Sequence, residues 1–436
     1  MDSSTDVVQK DKSLRKNSPS DGLLVALSIG FQLLLGLFLG HAYDMRIFMA
    51  TGFLAATGQN PYIPQDLSLA FHDKTFQAIT SIGYPPPWPL VAGLIYLLTY
   101  RMNQNLLLYN LALKIPIIAS NVCLAYLVAN ILKKLKVEEK KIHIAWLFML
   151  FNPYILYVSA AWGQIDSLVA LCTLLSLLLL SEGRLKSSAI LLALAISLKP
   201  TALALIPVAF VFLPGKPFRL LFRYFATLLI ASLLLWVGPF AIFRWDPTII
   251  LQHWNFQFSV GGGLSYMTFL ELYTDSYQLP GWWWLLGMLW LPALCVAVLI
   301  LKPGDAGLLE LLKKSAVLVM VFFLFRAWVS ETNLLLLLPI IVILATAGEL
   351  DPRILTAFWV LPLIFSFFNT TTFQLLFPSM PALMDRLLQL SEVYRTERLV
   401  IRITVVIPWL ILAGWLVIRL LKQPRRVGEI PALQEN

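Results

Sequence analysis

The chain has 436 residues, 59% hydrophobic and 13% charged, with a mean hydropathy of +0.77, more apolar surface than the core of a soluble protein of this size can bury. The expected fold is an all-α polytopic membrane protein. A net charge of +9 does not mark a nucleic-acid binder here, because the Lys and Arg residues fall in short clusters between apolar runs, as cytoplasmic loops do.

Residues 1–22 are a polar tail with Lys10, Lys12, Arg15 and Lys16, and no small-residue cleavage site follows the next apolar run. The tail is expected in the cytoplasm and the first span near 23–42, which places Asp44 just past the opposite face. From Trp88 to Tyr100 only 13 apolar residues follow one another, short of the roughly 20 that a crossing helix needs. That run is expected to be re-entrant or interfacial, inside one extracytoplasmic loop of about 43–104. The basic cluster KKLKVEEKK, Lys133 to Lys141, then stays inside.

Further spans are expected near 106–132, 143–160, 166–181, 187–199, 201–214, 220–243, 280–301, 314–328, 332–347, 353–369 and 399–420, about twelve in all. The basic loops EGRLKSS, GKPFR, LKPGDAGLLELLKK and LLKQPRR fall inside, and with them both termini. One integral domain, 23–422, is followed by a cytoplasmic tail, 423–436. Facing out are the first loop, WGQID, Arg244 to Gln278 and Thr370 to about Arg398. Cys123, Cys172 and Cys295 all lie within apolar runs, which implies neither a disulfide framework nor a metal site.

Polar residues beside apolar runs are costly and so are functional candidates. On the outer side they cluster in YD (Tyr43, Asp44), YPPPWP (Tyr84 to Pro89), AAWGQIDS (Ala160 to Ser167), SLKPT (Ser197 to Thr201) and FRAWVSETN (Phe325 to Asn333). An aspartate after the first span, a Y-P-P element, FNPYILYVSAAWGQIDS, a lysine after the next apolar run and a late E-x-N-x-L-L-x-x-P segment come in the order seen in one family. The chain resembles the GT-C superfamily of membrane glycosyltransferases, and within it the mannosyltransferases of glycosylphosphatidylinositol synthesis and their prokaryotic relatives. It departs from such relatives at Ser330, Glu331 and Thr332, where they often carry His-Glu and a basic residue.

The resemblance implies transfer of a hexose, mannose favoured, from a polyprenyl-phosphate donor to a lipid-linked or glycan acceptor on the extracytoplasmic or lumenal face, with inversion. The compartment is the plasma membrane in a prokaryote or the endoplasmic reticulum in a eukaryote. Partners are then the donor, the acceptor and membrane lipids, with no nucleic acid and no cofactor. A transporter or flippase of a lipid-linked sugar, or a non-catalytic membrane subunit, is the alternative.

Such transfer needs a base for the acceptor proton and cations for the departing phosphate. Asp44 is the expected catalytic base, its pKa raised by partial desolvation; otherwise it is a helix-end carboxylate or a partner of Arg46. Asp166 is a second acid, a ligand of the acceptor hydroxyl, or the N-cap of the span that follows. Trp162 and Gln164 could stack on and hydrogen-bond a sugar, although Trp is equally an interfacial anchor. Lys199 either snorkels to water or meets the donor phosphate. The Arg326 guanidinium suits phosphate in a bidentate fashion, or pairs with Glu331. Tyr84, Glu331 and Asn333 complete the substrate-binding candidates. The prolines of YPPPWP lack N–H donors and fix φ, so they act as a strut for the short helix after them. SVGGGLSY, Ser259 to Tyr266, is expected to be a flexible lid. No H-x-x-x-H or paired acidic-histidine spacing supports a bound divalent metal, and no G-x-S-x-G suggests a serine hydrolase.

Overall fold

The structure is a computed structural model describing residues 19–213, 218–272, 281–301, 307–369 and 371–422. Most of the two terminal tails, most of GKPFR, the start of the LKPGDAG loop, the end of the 244–278 segment and Thr370 lie outside the described residues. The chain is an all-α polytopic membrane protein, with almost no strand among the described residues.

The first helices follow the apolar runs. Helix α1 (Pro19–Phe38) stops before Gly40, and His41 starts α2 (Ala42–Ala56) by accepting the Asp44 backbone N–H at its ring nitrogen. Helix α3 (Pro87–Leu98) begins inside the proline run, where a missing N–H costs nothing. Its twelve residues reach only about 18 Å, too short to cross a bilayer. Helix α4 (Leu106–Lys134) is capped by Asn105, and α5 (Glu139–Phe151) follows the basic cluster. After a π-helical turn, Tyr157–Ala161, come α6 (Asp166–Ser181) and α7 (Leu185–Leu198).

Six described helical segments are long and apolar enough to cross: Ser20–Phe38, Leu106–Lys134, Glu139–Ala161, Phe218–Phe243, Gly281–Ile300 and Arg395–Lys422. The other six sequence-derived runs are shorter, broken or charged. Leu338–Thr346, for example, is a nine-residue helix preceded by a 3₁₀ turn, Glu331–Leu336. Burial divides the helices into two kinds. Phe218–Phe243 is apolar around its circumference, yet only Tyr224 and Leu228 are buried, as expected for a helix facing lipid. Leu338–Ala345 is buried throughout.

The segment expected to be a loop, 43–104, is itself folded. Helices α2 and α3 pack so closely that a Cβ on Gly52 would lie 2.6 Å from the Ala92 carbonyl oxygen. Tyr109 of α4 donates to the Met49 carbonyl at 3.2 Å, tying this pair to the long helix. Helix α4 also packs on α1, α5 and α6, so α4 is the post against which the N-terminal half is assembled.

SVGGGLSY is not a free lid. Gly262–Gly263 pairs in parallel with Trp328–Val329, and the pairing needs a glycine: Gly263 has φ +68°, and a Cβ there would stand 2.2 Å from the Val329 oxygen. Ser265 donates to the Ala327 carbonyl and Val260 to Ser265 are buried, which pins the stretch against the segment that carries Arg326.

Candidate active site

Six of the sequence candidates come together. Asp44, in the first turn of α2, keeps its carboxylate 20% exposed. Its Oδ2 accepts the Trp162 indole N–H at 2.6 Å and lies 3.0 Å from His41 Nδ1, and Gln164 hydrogen-bonds the same carboxylate. The indole also stacks on the His41 ring, centroids 4.6 Å apart, and the His41 N–H donates to the Trp162 carbonyl at 3.1 Å.

Burial by itself would raise the Asp44 carboxyl. The His41 ring and the hydrogen bonds from Trp162 and Gln164 outweigh it and hold Asp44 below the usual carboxylate range. The expectation of a raised Asp44 pKa is therefore corrected: desolvation is present, but hydrogen bonds to the charged form win. Nor is Arg46 its partner, because that guanidinium donates to the carbonyls of Ala42 and Thr75.

Gln164 links this group to a second. Its Oε1 accepts the Tyr84 hydroxyl at 2.9 Å and sits 3.4 Å from Lys199 Nζ, whose ammonium lies 5.4 Å from the Tyr84 ring centre. Burial and the fields of Asp166 and Asp44 push the Tyr84 phenol well above its ordinary pKa, so it remains a proton donor.

Lys199 Nζ is 2.6 Å from Asp166 Oδ2, with side chains 9% and 1% exposed. The expectations for Asp166 and Lys199 fail here for one reason, the buried ion pair. Asp166 is not an N-cap, since α6 begins on it and its carboxylate points to Lys199. Lys199 neither snorkels to water nor stands open to a phosphate. Trp162, 5% exposed and committed to Asp44 and His41, is neither an open sugar platform nor a lipid-facing anchor.

The conformation of WGQID explains the convergence. The π turn ends with Trp162, Gly163 and Gln164 donating back to Tyr157, Ser159 and Val158, the kind of local irregularity often found at functional sites. Gly163 has φ +99°, and a Cβ would meet Met45 Sδ at 2.4 Å and Lys114 Cε at 3.0 Å. Only glycine lets Trp162 and Gln164 face Asp44 from one short loop.

The late motif forms a neighbouring group. Its 3₁₀ turn packs on α6, and buried Tyr154 donates to the Glu331 carbonyl. Asn369 donates to Glu331 Oε1 at 3.3 Å, and Asn333 is buried with Oδ1 unpartnered. Arg326 does not pair with Glu331. Its guanidinium stands over the Phe322 ring, 5.2 Å from the centre, with no carboxylate in ion-pair range among the described residues. No group of three metal-ligating side chains occurs among the described residues.

Residues 41–214 match the family model described as alpha-(1->6)-mannopyranosyltransferase, N-terminal domain. The chain is a glycosyltransferase. Its matched span begins at His41 and contains all of the Asp44 and Lys199 groups, while Arg326, Glu331 and Asn333 lie beyond it. The enzyme's N-terminal half is thus of the mannosyltransferase type, in keeping with a GT-C architecture. No curated protein matches the sequence.

Three further residues of the candidate site were not among those expected from the sequence. His41 was legible as H-x-x-D, one helical turn from Asp44. Lys114 was legible as a lone charge in an apolar run. Tyr154 carried no such signal, since a tyrosine in an apolar run is common packing.

Proposed function

We propose that the enzyme moves a mannosyl group from a polyprenyl-phosphate donor to a hydroxyl of a lipid-linked or glycan acceptor, with Asp44 as the base. The acceptor gives its proton to Asp44, its oxygen bonds to the anomeric carbon, and the bond from that carbon to the phosphate oxygen breaks. The lipid phosphate leaves with the electron pair. The linkage is alpha-(1->6), in line with the description of the matched family.

The Asp44 carboxylate carries this reading: partly open at a helix start, held by His41, Trp162 and Gln164, and kept ionised at neutral pH. A base with a lowered pKa is weak but fully available, and a positioned carboxylate contributes by geometry as well as by basicity. Asp166 is neutralised by Lys199, which leaves one working acid here and therefore a direct displacement with inversion. Arg326, with no carboxylate in ion-pair range among the described residues, is the guanidinium for the donor phosphate. The site opens on the extracytoplasmic side and both termini are cytoplasmic, as the placement of the basic clusters supports.

The test is Asp44→Asn, which keeps size and removes basicity. Transfer from a polyprenyl-phosphate mannose donor should fall by roughly 10² to 10⁴ while donor binding persists. Turnover within a few-fold of the parent enzyme would remove Asp44 from the chemistry.

A further inference from the structure

Lys114 lies within the long helix α4 with its side chain fully buried, and among the described residues no carboxylate approaches it. Simple filling of this place would be done by leucine or methionine without the penalty of burying a charge. The ammonium is instead bonded to backbone. It donates to the carbonyl of Leu39, just past α1, and at 2.9 Å to that of Ala161, the last residue of the π turn. One turn earlier on α4, Asn110 Nδ2 donates to the carbonyls of Gly36 at 2.7 Å and Leu39 at 2.9 Å.

These carbonyls are the ones that helix C-termini leave without partners, and a cation is favoured there by the helix dipole. The ends of two helical segments, 75 and 47 residues away from Lys114 in sequence, are in this way fastened to one point. Past Leu39 come Gly40 and His41. Past Ala161 come Trp162 and Gly163, and Gly163 leaves the room that the Lys114 stem occupies. The two fastened segments are those that deliver the His41 ring and the Trp162 indole to Asp44.

We propose that Lys114 is a positioning residue for sugar transfer, setting the distance between the His41 and Trp162 segments so that both engage Asp44. The inference rests on Asp44 being the base. Displacement of a catalytic group by about 1 Å can cost roughly 10²-fold in rate. The ionisable groups around Asp44 are His41 and Arg46 on its own helix, Tyr84 ahead of α3, Lys114 behind Gly163, and the Lys199–Asp166 pair beyond Gln164.

The experiment compares Lys114→Met, Lys114→Gln and Asp44→Asn in the full-length enzyme, using mannosyl transfer from a polyprenyl-phosphate mannose donor across pH. Lys114→Met should lower kcat about 10- to 100-fold with KM for the donor changed less than about threefold. The acid limb of kcat/KM should move to higher pH, because Asp44 loses donors to its charged form. Lys114→Gln retains amide donors and should recover part of kcat. A role in folding alone would lower thermal stability and leave both kcat and the acid limb of the folded fraction unchanged, which overturns the proposal. If the Met variant does not fold, the acid limb of the Gln variant decides in the same way, raised in support and unmoved against. Asp44→Asn separates the two claims: an inactive Asp44→Asn beside an unaltered Lys114→Met sinks only the role of Lys114, whereas a fully active Asp44→Asn sinks the base and the positioning role together.

Discussion

Lys199→Met deletes the cation from a carboxylate that has nothing else. Asp166 is 1% exposed, its Oδ2 is bonded to Lys199 at 2.6 Å, and its Oδ1 has no partner. Removing one member of a buried ion pair typically costs about 3–5 kcal/mol, because the other charge stays buried and uncompensated. At about 1.4 kcal/mol per decade, the folded-to-unfolded ratio should fall by roughly two to three and a half powers of ten. Removing both charges, as Lys199→Met with Asp166→Leu, should restore most of the stability. Unfolding of the parent, Lys199→Met, Asp166→Leu and the double variant in mixed micelles of rising denaturing-detergent content at pH 7 measures both effects. If Lys199→Met is within about 1 kcal/mol of the parent at pH 7, or the double variant is worse than both singles, the pair is not the closed, buried unit described here.

His41→Gln keeps the ring's approximate reach but removes the imidazole that lies 3.0 Å from the Asp44 carboxylate. The Asp44 pKa should rise from below 3.8 toward the ordinary carboxylate range or above it, and the acid limb of kcat/KM should move to higher pH with it; an unmoved limb would mean that His41 does not hold the carboxylate. Arg326→Lys should weaken donor affinity by about tenfold or more, since a point charge cannot reproduce a two-pronged contact with phosphate. Unchanged donor binding and turnover would take Arg326 out of the phosphate site.

Composition alone determined that this chain is an all-α membrane protein, because an apolar excess of this size has no soluble solution. Local pattern also marked Asp44, Tyr84, Trp162, Gln164, Asp166 and Lys199, since a polar group beside an apolar run carries its cost whatever its neighbours are. What the pattern could not contain was who neighbours whom. Asp44 meets Trp162 across 118 residues, Tyr84 meets Gln164 across 80, and Lys199 meets Asp166 across 33, so each ionic state was set by packing. Lys199 therefore turned from an open cation into the closed partner of Asp166, and Asp44 from a raised carboxyl into a lowered one. Hydropathy likewise does not distinguish Phe218–Phe243, which faces lipid, from Leu338–Ala345, which faces protein, because lipid tails and protein interiors reward the same side chains and only the tertiary fold assigns each helix its surroundings.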